Sequence, residues 1–111
     1  MSEQVKIVVT VPEDTADAVR EAIGKAGAGR IGEYGHCSFT IKGTGRFLPG
    51  DKANPAIGAQ GQLEQVAEER IEVTCDRGLA ENAIAAIRQA HPYEEPAIDV
   101  YPLLDIDKLE D

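Results

Sequence analysis

The strongest constraint on the fold is a strand followed directly by a helix, a unit that occurs twice along the chain. Residues 5–11 read VKIVVTV, and their β-branched side chains predict a central strand. A proline and two acids at 12–14 are typical of a helix start, and helical spacing continues to Ala26. The second unit joins an alternating strand at 65–75 to an apolar helical stripe at 79–90.

Two further strands, at 38–42 and 97–104, complete the order βαββαβ. Right-handed crossovers then give a four-stranded antiparallel sheet with both helices on one face. This is a ferredoxin-like sandwich of the α+β class. We expect a single domain over residues 1–111 with an acidic tail at 105–111, because a chain of 111 residues fits one core.

The segment between the second and third strands is rich in glycine. Residues 43–61 contain five glycines and two prolines, and we expect a long loop there. Loops of this length in small domains usually bind a ligand or form an interface. The run from Gly43 to Arg46 lacks the spacing of a phosphate-binding loop, although glycine N–H groups beside an arginine can hold an anion. A flexible hairpin tip is the simpler interpretation.

Composition limits the class of partner and the location. Acidic residues outnumber basic ones by 20 to 11, which gives a formal charge of −9. This charge opposes binding to nucleic acid and to anionic membranes, since both recognise basic surfaces. The chain has no apolar run of membrane-spanning length and no signal-peptide pattern, so we expect a cytoplasmic protein.

The predicted topology places residues 91–96, HPYEEP, at the same end of the sheet as the glycine-rich loop. A histidine with nearby carboxylates, here His91 with Glu94 and Glu95, can hold a divalent ion or transfer protons. The alternative is a rigid connector whose two prolines fix the backbone and whose Tyr93 packs against the domain. Both interpretations remain open on sequence grounds.

A second group of possible metal ligands lies at the opposite end of the sheet. His36, Cys37 and Cys75 are soft ligands that suit Cu(I) or Zn. Both cysteines share the strand alternation of Phe39 and Ile71, however, which favours burial in the core. We therefore expect core packing for the cysteines and a surface position at the strand start for His36.

Several spaced motifs follow one another in a fixed order along the chain: GHCSF at 35–39, GTGRFLPG at 43–50, NPAIG at 54–58, ERIE at 69–72 and HPYEEPA at 91–97. Together they resemble the inserted domain of the YqfO-type family, whose members are also called GTP cyclohydrolase I type 2 homologues or NGG1-interacting-factor-like proteins. The last run is also similar to CutA, the divalent-cation-tolerance family. The resemblance extends over about residues 4–104.

The resemblance implies a stand-alone CutA/PII-like domain that forms a homo-oligomer, with a trimer favoured and a dimer as the alternative. The metal site of the two-domain relatives lies in flanking halves that this chain lacks, so their hydrolase activity is not carried over. Likeness to CutA implicates His91, Tyr93 and Glu94 in binding a divalent metal ion, the only cofactor indicated. Likeness to PII implicates the loop 43–58 in binding a small ligand.

Three functions are therefore compatible with the sequence. The first is a non-catalytic oligomeric module that senses a small ligand or regulates a partner. Its candidate ligand-binding residues are Gly43, Gly45, Arg46, Pro49, Asn54 and Tyr93. The second is a divalent metal-binding protein of the copper or zinc class, with His91, Glu94, Glu95 and His36 as candidate ligands. The third is a hydrolase of nucleotide or phosphorylated substrates in which Arg46 orients the phosphate.

Overall fold

A computed structural model describes residues 3–109 of the chain. It contains four strands and two helices, and a short 3₁₀ turn precedes each helix. The elements are β1 (Gln4–Pro12), a turn at Glu13–Thr15, α1 (Ala16–Lys25), β2 (Phe39–Phe47), β3 (Glu64–Asp76), a turn at Arg77–Leu79, α2 (Ala80–Ala90) and β4 (Ile98–Pro102).

The four strands form one antiparallel sheet in the order β2-β3-β1-β4. Strand β1 lies at the centre, where Val9 is opposite Ile71 of β3 on one side and Ile98 of β4 on the other. Strands β2 and β4 form the two edges. The predicted βαββαβ order and ferredoxin-like fold are therefore confirmed.

The core fills the space between the two helices and one face of the sheet. Its side chains come from alternate positions of β1 and β3 and from the apolar stripes of both helices: Val5, Ile7, Val9, Val11, Ala16, Val19, Ile23, Ile71, Val73, Cys75, Ala83 and Ile87. Each large side chain of this group contributes about 1.5–3 kcal/mol by leaving water. The predicted inward faces of β1, β3 and both helices are confirmed.

Strand β2 is longer than the sequence indicates, and this corrects the predicted loop. Residues 43–47 continue the strand, since they pair with residues 64–68 of β3. Pairing with a long neighbouring strand satisfies the backbone N–H and C=O groups that point toward β3, which outweighs the poor strand propensity of glycine. The connection between β2 and β3 is therefore residues 48–63, which we call the rim loop.

The exposed face of β2 also differs from the prediction. Thr40 is opposite Ile71 and shares the helix-covered face of the sheet, so Phe39 and Ile41 point to the open face. Their side chains are 64% and 47% exposed. The register with β3 decides this orientation, and sequence alternation within an edge strand does not reveal it.

The two cysteines consequently have different environments. Cys75 is 2% exposed and belongs to the core, as predicted. Cys37 precedes β2 and is only half-buried, so its assignment to the core is wrong. Its backbone N–H donates to Gly29 O at 2.7 Å, which anchors the segment before β2.

The C-terminal segment leaves the sheet earlier than predicted. Strand β4 ends at Pro102, and the Leu103 N–H donates to Gln4 O at 3.0 Å. Of the predicted acidic tail, residues 105–109 are described and include a turn closed by the Lys108 N–H and Asp105 O; residues 110 and 111 lie outside the described range. Within residues 3–109, no helix is long and apolar enough to cross a membrane.

Candidate functional site

The rim loop meets the connector between α2 and β4 at one end of the sheet. The Asn54 N–H donates to Glu94 Oε1 at 3.1 Å, which joins the loop to residues 91–97. The two segments thus come together within one chain. Together with β2 and β3 they border a half-open space that we call the rim pocket.

The rim pocket has a volume of about 290 Å³, close to the lower end of the range for small-molecule sites. Its walls are largely apolar and come mainly from β2 and the rim loop: Phe47, Leu48, Pro49, Ala53, Pro55 and Ile57. Four charged residues also line it, namely Arg46, Glu68, Glu94 and Glu95. An apolar enclosure with a few charged groups is the usual composition of a ligand site.

His91 holds the connector against β1. Its Nε2 lies 2.7 Å from Thr10 O, and because a carbonyl oxygen only accepts, Nε2 carries the hydrogen. Its Nδ1 accepts the Tyr93 N–H at 3.1 Å. The side chain is 6% exposed and does not line the pocket. A metal ion could bind His91 only after one of these hydrogen bonds was broken.

Tyr93 connects the connector to β2 and β3. Its hydroxyl donates to Glu68 Oε2 at 2.7 Å, and its ring packs edge-on against Phe47 with centroids 5.4 Å apart. Burial, and then the hydrogen bond to Glu68, raise the pKa of the Tyr93 phenol above its ordinary value. Tyr93 therefore stays a neutral hydrogen-bond donor through the physiological pH range.

Glu68 is the residue that sequence reasoning missed at this site. Strand alternation placed it on the polar side of β3, but it is only 6% exposed because the connector covers it. Gly45 makes room for it, since a Cβ at that position would overlap the Glu68 carboxylate. The one local signal was a pair of adjacent glutamates, Glu68 and Glu69, within a strand.

The predicted ligand-binding residues gather at the rim pocket with two exceptions. Gly45, Arg46, Pro49 and Tyr93 line it. Asn54 lies beside it through its bond to Glu94, whereas Gly43 does not line it.

The predicted metal ligands are not brought together. Glu94 and Glu95 line the pocket, His91 packs behind it, and His36 lies at the opposite end of the sheet. Within the described part of the chain, no three His, Cys, Asp or Glu side chains form a group suited to a metal ion.

A second pocket, of about 320 Å³, contains His36 and Cys37 at that opposite end. The ring of His36 lies where a side chain at Gly24 would be, so glycine is required for this packing. Cys75 does not line this pocket, and its Sγ–H donates to Asp76 O at 3.1 Å. Burial raises the pKa of the Cys75 thiol, which keeps it protonated and unreactive.

Comparison with known proteins identifies the relatives of this chain. No family model matches it. The GTP cyclohydrolase 1 type 2 homolog of Mycobacterium tuberculosis is 50% identical over 99 residues, and that of Halalkalibacterium halodurans is 53% identical over 98 residues. These matches cover 89% and 88% of the chain but only 26% of each relative. This chain is homologous to one segment of the GTP cyclohydrolase 1 type 2 homologs.

Solved structures give the same relationship and extend the fold comparison. A Bacillus cereus protein related to NIF3 superimposes with a TM-score of 0.82 at 48% identity, over 94% of this chain and 26% of that one. The divalent ion tolerance protein CutA1 from Ehrlichia chaffeensis gives 0.69 at 16% identity, over 97% and 88% of the two chains. The segment shared with the GTP cyclohydrolase 1 type 2 homologs therefore has a CutA-like fold.

Proposed function

We propose that this chain is a non-catalytic, oligomeric module that binds a small ligand in the rim pocket and so senses that ligand or regulates a partner. The observation that carries the proposal is the half-open pocket between the rim loop and the connector. Contacts of Asn54 with Glu94, of Tyr93 with Glu68 and of Phe47 with Tyr93 hold these walls together. A pocket that is formed before binding lowers the ordering cost of binding.

Assembly is part of the same proposal. Strands β2 and β4 are sheet edges, and edge strands expose unpaired backbone groups that favour contact with another chain. Phe39, Ile41 and Tyr101 add exposed apolar surface on the open face. We expect a trimer, with a dimer as the alternative. Light scattering coupled to size exclusion tests this, and a strict monomer at micromolar concentration would contradict it.

Ligand binding is tested by filling the pocket. Ala53 lines the rim pocket, so Ala53→Phe should abolish binding of any ligand found in a calorimetric screen of metabolites. Ala59→Phe is the matched control, because Ala59 is in the same loop, exposed and outside the pocket lining. If no compound binds with a Kd below about 100 μM, or both variants bind equally well, the proposal fails.

A further inference from the structure

We propose that the rim pocket recognises an alkylammonium group, a primary amine cation on an apolar stem, through the carboxylate of Glu68. The inference rests on the proposed ligand-binding function and specifies the chemistry of its ligand.

The first observation is that the buried charge of Glu68 has no cationic partner. Only the Tyr93 hydroxyl bonds to it, at Oε2, and no ion pair within residues 3–109 includes it. Every fully enclosed side-chain oxygen or nitrogen among those residues has a partner. Oε1 of Glu68 has none, so it is not fully enclosed, and Glu68 is one of the residues that line the rim pocket. A buried carboxylate is normally paired with a cation.

The neighbouring glutamate provides an internal comparison. Glu69 is 8% exposed on the opposite face of β3, nearly as buried as Glu68. Its Oε1 accepts a hydrogen bond from Arg20 Nη1 at 2.7 Å, so its charge is compensated within the chain. The same strand therefore buries one glutamate with a cation and one without. The difference indicates that the cation for Glu68 comes from outside the described chain.

The charges and walls of the pocket define the type of cation. Glu68, Glu94 and Glu95 face a single arginine, Arg46, so the lining repels phosphates and attracts cations. The remaining walls are largely aliphatic or aromatic, and they would bury a hydrocarbon stem. Tyr93 also lines the pocket, and its hydroxyl fixes the position of the Glu68 carboxylate. A hydrated metal ion would gain nothing from these apolar walls.

The ammonium group could belong to a free amine or to a lysine side chain of a peptide. NMR titration of the isotopically labelled full chain distinguishes these sources. The probes are n-pentylammonium, the matched neutral n-pentanol, the matched anion pentanoate, and a capped glycine pentapeptide with a central lysine or acetyl-lysine. We expect pentylammonium to shift the amide signals of Asn54 and Tyr93 and to bind at least tenfold more tightly than pentanol or pentanoate.

Glu68→Gln keeps an oxygen that can accept from Tyr93 while it removes the charge, and it should weaken pentylammonium binding about tenfold or more without affecting pentanol. Glu69→Gln is the matched control and should leave affinity unchanged. If pentanol or pentanoate binds as well as pentylammonium, or Glu68→Gln has no effect, the inference is overturned while the pocket proposal stands. If no probe shifts pocket signals, the inference is likewise overturned, and the Ala53→Phe screen still tests the pocket.

If Glu68→Gln does not fold, the inference is tested by the wild-type chain alone, which should bind pentylammonium more tightly than pentanol. The two peptides identify the source of the ammonium group. Binding of the lysine peptide but not of its acetylated form indicates a protein lysine, whereas binding of pentylammonium alone indicates a free amine. Both results support recognition of an alkylammonium group.

Discussion

The two ends of the sheet have pockets of similar size, about 290 and 320 Å³, and both contain carboxylates with a histidine in or beside the wall. At the His36 end, the charged groups satisfy one another, since Arg20 bonds to Asp17, Glu69 and Thr40. At the rim, the one partner of the buried Glu68 among residues 3–109 is the neutral hydroxyl of Tyr93. The comparison teaches that a buried charge without a partner of opposite charge marks the candidate binding site. The presence of histidine or cysteine does not, since both occur at the end of the sheet where the charges are paired.

If the His36 end is purely structural, damage there should reduce stability and leave binding intact. Gly29 has φ +80°, and a Cβ would lie 2.5 Å from Cys37 O. Gly29→Ala should lower the free energy of unfolding by about 3 kcal/mol through backbone strain and this overlap. Urea unfolding measures the loss, and affinity for pentylammonium in the folded protein should not change.

Gly32→Ala is the control for strain alone, because Gly32 also has positive φ but open space around it. It should cost about 1 kcal/mol. If Gly29→Ala and Gly32→Ala lower the free energy of unfolding equally, the close contact with Cys37 does not contribute to stability.

The stability of the protein should respond differently when each of the two adjacent glutamates loses its charge. Glu69→Gln should lower the free energy of unfolding by about 2 kcal/mol, because it leaves Arg20 without its buried partner. Glu68→Gln should cause no loss, since it removes a buried charge that has no cation. Parallel urea titrations at neutral pH measure both. A similar loss for the two variants would remove the distinction between the two faces of β3.

Tyr93→Phe should lower the free energy of unfolding by about 1.5 kcal/mol at neutral pH, because Glu68 loses its one hydrogen bond. Since folding raises the pKa of Tyr93 above its ordinary value of 10.0, its contribution is complete below pH 10 and is lost as pH rises above it. The stability difference between wild type and Tyr93→Phe should therefore shrink above about pH 10. A difference that grows there would contradict the assigned geometry.

The smallest effect is expected at Arg46, whose side chain is exposed and makes no ion pair within residues 3–109. Arg46→Ala should change the free energy of unfolding by less than about 0.5 kcal/mol. It should raise pentylammonium affinity by no more than about threefold, because a weakly coupled like charge is removed. Binding of pentanoate by the wild type that is lost in Arg46→Ala would favour an anionic ligand and the phosphate role predicted from the sequence.

The sequence was informative where burial follows a regular period. Alternation in residues 5–11 and 71–75 and helical spacing around Val19 and Ile87 predicted the core. The βαββαβ order predicted that the glycine-rich loop, then assigned to residues 43–61, lies at the same end of the sheet as residues 91–96. It failed where long-range pairing decides the outcome. The register of β3 turned Phe39 outward and extended β2 through its glycines.

Two site residues illustrate the same limit. The sequence around His91 does not indicate that both of its ring nitrogens bond to the backbone. One of the two partners, Thr10, lies 81 positions away in the sequence. Glu68 looked like an ordinary solvent-facing strand residue, since the tyrosine that buries it comes from the other side of α2. A buried charge of this kind is created by tertiary contacts, and strand periodicity has no means of indicating it.

The central position of β1 has a consequence for biosynthesis. During synthesis β1 leaves the ribosome before the other three strands, but its two partners are β3, which begins at residue 64, and β4, which begins at residue 98. At synthesis rates of about 5–20 residues per second, β1 waits several seconds with both edges unpaired. This apolar strand therefore needs protection from aggregation during that time, and the domain completes its sheet only when translation of β4 is finished.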